Sequence, residues 1–112
     1  MKIALPVAGG QLCAHFGHCD TFEVFEVDRD SGKIIKTSSI QAPPHEPGLL
    51  PRMLGAEGID VVIAGGMGSR AQDLFRQQGI EVLVGVAAGD PTKLVESYLS
   101  GTLKSGTNIC DH

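Results

Sequence analysis

The sequence predicts a three-layer α/β/α sandwich built on a mixed five-stranded sheet. Three observations carry this. Asp60-Val-Val-Ile-Ala64 and Ile80-Glu-Val-Leu-Val84 are short, β-branched and almost continuously apolar, the signature of parallel strands buried on both faces. Each runs through a glycine-containing connection into an amphipathic helical segment, which is the form of a right-handed βα crossover. Ahead of them, two strand-like runs flank Asp30-Ser31-Gly32, a turn with glycine available for positive φ, and so form an antiparallel hairpin.

Taken in order, Lys2 to Val7 is a short apolar run suited to a buried first strand, and Gly9-Gly10 ends it. Leu12 to Cys19 has no period and reads as a loop. Thr21 to Asp28 sets Phe22, Val24 and Val27 against Glu23, Glu26 and Asp28, close to the alternation of a half-buried strand. Lys33 to Ile40 is its hairpin partner. Gln41 to Pro47 contains three prolines, cannot be a regular element, and holds His45 in a stiff loop.

Leu49 to Ala56 places Leu49, Leu50, Met53 and Leu54 on one helical face, with Pro51 tolerated in the first turn and Gly58 as the stop. After the strand at Asp60 to Ala64, Ser69 to Gln78 carries Ala71, Leu74 and Phe75 on one face, and Gly79 closes it. After the strand at Ile80 to Val84, Asp90 caps a helix with Pro91 at its first position. Leu94, Val95, Tyr98 and Leu99 form its apolar face, and Gly101 stops it. The first strand is expected at the centre, with the hairpin on one side and the crossover strands on the other. Residues 1–101 form a single domain, and 102–112 an irregular tail.

A chain of 112 residues buries roughly two-thirds of its unfolded surface, enough for a core without staples. The net charge of −4, with nine scattered Lys and Arg, gives no footprint for nucleic acid or an anionic membrane. No apolar run is long enough to span a bilayer. The opening Met-Lys-Ile-Ala-Leu-Pro-Val reads as a strand and not as a signal peptide, so a cytoplasmic location is expected. Three cysteines are an odd number, which argues against a disulfide framework and leaves thiols available to metals or redox partners.

Two stretches concentrate the chemistry. Leu12-Cys-Ala-His-Phe-Gly-His-Cys19 gathers two cysteines and two histidines. Gly65-Gly-Met-Gly-Ser-Arg70 follows the fourth strand and starts a helix. Ligands of open α/β sheets sit outside the carboxyl ends of the strands, so the two stretches are expected on one rim. The helix start favours an anion, the glycines allow close approach, Arg70 adds a donor fork and Met67 a soft thioether. The plainer reading is a tight βα turn. The turn is neither a Walker motif nor a full dinucleotide fingerprint.

His15, His18 and Cys19 are candidate metal ligands, with His45 a fourth, but no paired C-x-x-C spacing supports structural zinc. Imidazole and thiolate suit copper or iron–sulfur centres better than magnesium or calcium. The catalytic alternative is a Cys19 nucleophile with His15 or His18 as base, while no Ser/His/Asp arrangement or carboxylate pair stands out.

These residues resemble a known family. The first strand, the glycine pair, Ala14-His15-Phe16-Gly17, the alternating strand from Phe22, His45-Glu-Pro-Gly48, Gly58-Ile-Asp-Val-Val-Ile-Ala-Gly-Gly-Met-Gly68 and Gly79-Ile-Glu-Val occur in the order of the dinitrogenase iron–molybdenum cofactor-binding family. Its members include the NifX and NafY carriers, the C-terminal part of NifB and the small orange protein. The resemblance covers roughly residues 2–100.

It implies a ribonuclease-H-like topology without nuclease chemistry, and noncatalytic, noncovalent binding of a preassembled cluster, either molybdenum–copper sulfide or molybdenum–iron sulfide. The resemblance points to His15, Phe16, Gly17, His45, Gly65, Gly66, Met67 and Gly68, and the residues themselves add His18, Cys19 and Arg70. The implied partners are the cluster and a protein that donates or accepts it. Two rivals are a regulatory or interaction module for a small anion or a protein, and a cysteine-dependent redox protein.

Overall fold

A computed structural model describes residues 1–13, 19–28, 30–41 and 49–103. The strands are β1 (Lys2–Ala8), β2 (Gln11–Leu12), β3 (Thr21–Val27), β4 (Ile34–Gln41), β5 (Val61–Ile63) and β6 (Glu81–Leu83). The helices are α1 (Leu49–Ala56), α2 (Ser69–Gln77) and α3 (Pro91–Ser100). The sheet order is β4-β3-β1-β5-β6, with β1 central, the antiparallel β3–β4 hairpin on one side and the parallel strands on the other.

The one addition to the expected five strands is β2. It folds back on β1 in a tight hairpin through Gly9 and Gly10, both at positive φ, with Val7 opposite Leu12 and Ala8 opposite Gln11. Part of the stretch expected to be loop is therefore strand.

Alternation in β1 and β5 sends side chains to opposite faces and creates two cores. On one face Ile3, Leu5, Phe25, Val27, Val61 and Ile63 pack with Val95, and α3 adds Leu94, Tyr98 and Leu99. On the other, Ala4, Phe22, Val24, Val62 and Ala64 pack with Leu54 of α1 and Phe75 of α2. Two helices on one face and one on the other make three layers. Burying a side chain such as Phe75 contributes roughly 1.5–3 kcal/mol.

The helix boundaries follow local chemistry. The Asp90 side chain accepts from Thr92 N at 3.2 Å, Pro91 takes the first helical position, and Gly101 ends α3 at φ 77°. Pro6 sits within central β1 because the parallel register with β5 covers only Ile3 and Ala4. No ladder donor is needed from Pro6 on that side, and its carbonyl accepts from Cys13 N at 2.9 Å. No helix among the described residues is long and apolar enough to cross a membrane.

Candidate functional site

β1 organises the rim. Along one side it pairs with β3 from Lys2 to Val7. Along the other it pairs first with β5, at Ile3 and Ala4, and then with β2, at Val7 and Ala8. β2 therefore occupies the line that β5 vacates, and brings Leu12 and Cys13 to the carboxyl end of β5. The chain leaves this side of β1 at Cys13, bonded to Pro6 O, and returns on the β3 side, where Asp20 N bonds Val7 O at 2.9 Å. Cys13 and Asp20 are thus both bonded to the C-terminal part of the central strand.

β5 runs parallel to β1, so the β5–α2 turn leaves the sheet at that same end. Its carbonyls are turned into the protein: Ala64 O accepts from Val86 N at 3.2 Å, and Gly65 O accepts from Gly85 N. Gly68 O accepts from Gln72 N at 3.1 Å, and Met67 O from the Gln72 side chain at 2.9 Å. Gly66 itself forms an isolated β-bridge, so its main chain is engaged as well. Gly68 is the N-cap of α2 with φ −62° and ψ 149° and offers no capping side chain, and the first turn holds no acidic residue. The helix dipole and the first-turn amides thus favour an anion. Arg70, exposed in that first turn, adds a positive charge.

The expected site residues divide as follows. Gly65, Gly66, Gly68 and Arg70 lie together on the β5–α2 turn. Gly65 and Gly66 are buried, in keeping with a tight connection. Met67 differs from expectation. It is 1% exposed and packs in the core with Phe22, Leu54 and Phe75, so its thioether props the turn from beneath instead of facing outward. Cys19 is half-buried against the same core, and Cys13 is buried. Burial pushes the Cys19 thiol up to about 11, and the neighbouring Cys13 adds to the shift. A thiol in that state is a poor nucleophile at neutral pH. His15, Phe16, Gly17, His18 and His45 lie outside the described residues.

Two contributors were not anticipated from the sequence. One is the β6–α3 connection: Gly85 and Val86 bond the β5–α2 turn, and Gly89 O accepts from Leu12 N at 2.9 Å. Its signal was present in Gly85-Val-Ala-Ala-Gly89, a second glycine-bounded turn at a strand's carboxyl end. The other is Gln72, buried at 8% exposure, whose Nε2 donates to Met67 O while its Oε1 accepts from Arg76 Nη2 at 3.3 Å. Its signal was an amide side chain one helical turn beyond the glycine turn.

Known proteins share this fold. A family model described as dinitrogenase iron-molybdenum cofactor matches residues 1–101. An uncharacterized protein of Methanocaldococcus jannaschii is 33% identical over 85 residues, covering 73% of this chain and 72% of its own. The crystal structure of PH0822 superposes with a TM-score of 0.86 at 25% identity, covering 96% of both chains. The apo form of the orange protein from Desulfovibrio gigas superposes with a TM-score of 0.70 at 20% identity, covering 96% of this chain and 93% of its own.

Proposed function

Since the chain belongs to the dinitrogenase iron–molybdenum cofactor family, we propose that it is a carrier that binds a preassembled, anionic molybdenum–sulfur cluster noncovalently and passes it to another protein. The cluster is cargo. It is a molybdenum–copper sulfide or an iron–molybdenum cofactor-type sulfide. The observation that carries the reading is the β5–α2 turn, where inward carbonyls, an uncapped helix start and Arg70 combine into an anion-favouring surface. Cluster sulfides are soft, weakly hydrated acceptors, and glycine amides approach them closely without a side chain intervening.

In this reading Gly65, Gly66, Gly68 and Arg70 form one wall. His15, Phe16, Gly17, His18 and Cys19 form the second, and His45 closes the rim. The histidines donate hydrogen bonds to sulfide or ligate an outer metal, and Phe16 covers an apolar face of the cluster. Cys19, half-buried with its thiol pushed up to about 11, packs against the core beside this wall. The same property weighs against the cysteine-dependent redox alternative.

Competition distinguishes cluster carriage from binding of an ordinary small anion. Tetrathiomolybdate with copper is expected to bind stoichiometrically and to resist displacement by a hundredfold excess of inorganic phosphate or molybdate, about 2.7 kcal/mol of preference. Equal affinity for phosphate would instead assign the rim to a small-anion regulatory module.

A further inference from the structure

Among the described residues nothing pairs with the outer edge of β4, and the hydrogen-bond phase of the sheet identifies which groups it presents. The Met1 amino group donates to Val27 O at 3.0 Å, and Val27 N donates back to Met1 O at 2.7 Å. Bonded and non-bonded pairs alternate along an antiparallel ladder. In the β1–β3 register the bonded pairs are therefore Ile3–Phe25, Leu5–Glu23 and Val7–Thr21. Phe22, Val24 and Glu26 turn their main-chain groups to the other side, toward Ile40, Ser38 and Lys36 of β4. Thr37, Ser39 and Gln41 consequently direct theirs away from the sheet. Pro6 obeys the same phase, since it falls at a pair that asks no donor of it toward β3.

Sheet edges are normally blunted by charge, proline or a bulge. The first part of β4 is, by a register irregularity opposite Glu26 and Val27 and by Lys36. From Thr37 to Gln41 there is no charge, proline or bulge, and Thr37, Ser38 and Ser39 are exposed. Beside this stretch lies a cleft of about 150 Å³ lined by Lys2, Val24, Glu26, Lys36, Ser38 and Ile40, with Glu57 completing it. The opposite edge of the sheet, β6, has only three residues.

We propose that a second copy of this chain pairs with β4 in antiparallel fashion about a two-fold axis at Ser38, continuing the sheet across two molecules. In this register the outward groups meet. Thr37 lies opposite the second copy's Ser39, and Ser39 opposite its Thr37, giving about four main-chain hydrogen bonds. Charge is compatible as well. Lys36 faces the second copy's Ile40 and lays its aliphatic stem on it at the rim of the cleft. The two Lys36 side chains are about 14 Å apart, beyond the screening length at physiological salt. A contact this short buries less than the roughly 1,200 Å² of a stable interface, so the dimer is weak and concentration-dependent. The net charge of −4 on each copy opposes it, so added salt strengthens it. A foreign extended segment would use the same edge without requiring the two-fold axis.

The test is sedimentation velocity of the full chain from about 10 μM to about 1 mM, the range of a weak interface, paired with amide exchange at both ends of that range. Dimer is expected to grow with concentration, and the Thr37 and Ser39 amides to slow while Ser38 and Ile40 stay unchanged. Ser39→Pro removes an outward donor and spares the ladder. It is expected to keep the melting temperature within a few degrees and to raise the dissociation constant at least tenfold. A chain that remains monomeric at the highest concentration overturns the proposal. So does a dimer whose formation leaves the Thr37 and Ser39 amides exchanging as before, a reading that stands even if Ser39→Pro fails to fold.

Discussion

The Gln72 side chain donates to the Met67 carbonyl at 2.9 Å, joining the first turn of α2 to the glycine turn before it. Both residues are buried, so neither group can turn to water when the other is lost. Gln72→Met removes the donor at nearly constant volume and is expected to destabilise the chain by about 1–3 kcal/mol, the cost of an orphaned buried carbonyl. Gln72→Glu is expected to cost more, since a carboxylate at that point cannot donate. Urea unfolding checks both, and faster amide exchange at Gly66 to Ser69 localises the effect to the turn.

Cys19 sets a pH dependence whose sign follows from its surroundings. Burial first, and Cys13 second, hold its thiol up to about 11 in the folded chain. Above the ordinary thiol range the unfolded chain releases this proton while the folded chain keeps it. The stabilisation is therefore complete below that range and is lost as pH rises toward about 11. Unfolding midpoints of the parent and of Cys19→Ser are expected to converge or cross over this window. At neutral pH, peptide mapping after iodoacetamide treatment is expected to show Cys19 labelled at least about tenfold more slowly in the native chain than in urea.

The Asp90 cap is an independent local test of the helix that covers the Ile3 and Leu5 face of β1. Its carboxylate accepts from Thr92 N at 3.2 Å. Asp90→Ala is expected to cost about 1 kcal/mol, and Asp90→Ser to recover most of it. Thermal melts of the three proteins decide this.

How far the sequence was readable depends on how local the determining physics is. Asp90-Pro91 and Gly101 bracket α3 as expected, because a cap and a positive φ act within a few residues. Phe22, Val24 and Val27 placed β3 correctly because alternation is also local. β2 was not legible. Its hairpin through Gly9-Gly10 is local, but two residues are too few to show alternation, and the bond from Leu12 N to Gly89 O comes from far along the chain. The direction of Met67 was equally hidden. Its position in a glycine turn was plain, but the turn's carbonyl-in arrangement depends on Gln72, Gly85 and Val86, and it sends the thioether into the core. The place of the β5–α2 turn at the carboxyl end of the strands was legible from strand order. The β6–α3 connection, which bonds that turn, was not singled out, because its small residues carry no reactive groups.

Cluster carriage beside the β5–α2 turn is the central proposal. The measurement that bears on it most directly is reconstitution of the full chain with tetrathiomolybdate and copper, followed by desalting, absorption spectroscopy and metal analysis. The account predicts a chromophore that survives desalting at about one cluster per chain, and loss of at least about tenfold in affinity, 1.4 kcal/mol, when His15→Ala and Arg70→Ala are combined. A chain that emerges colourless and free of molybdenum, or one whose chromophore is untouched by that double substitution, would contradict it.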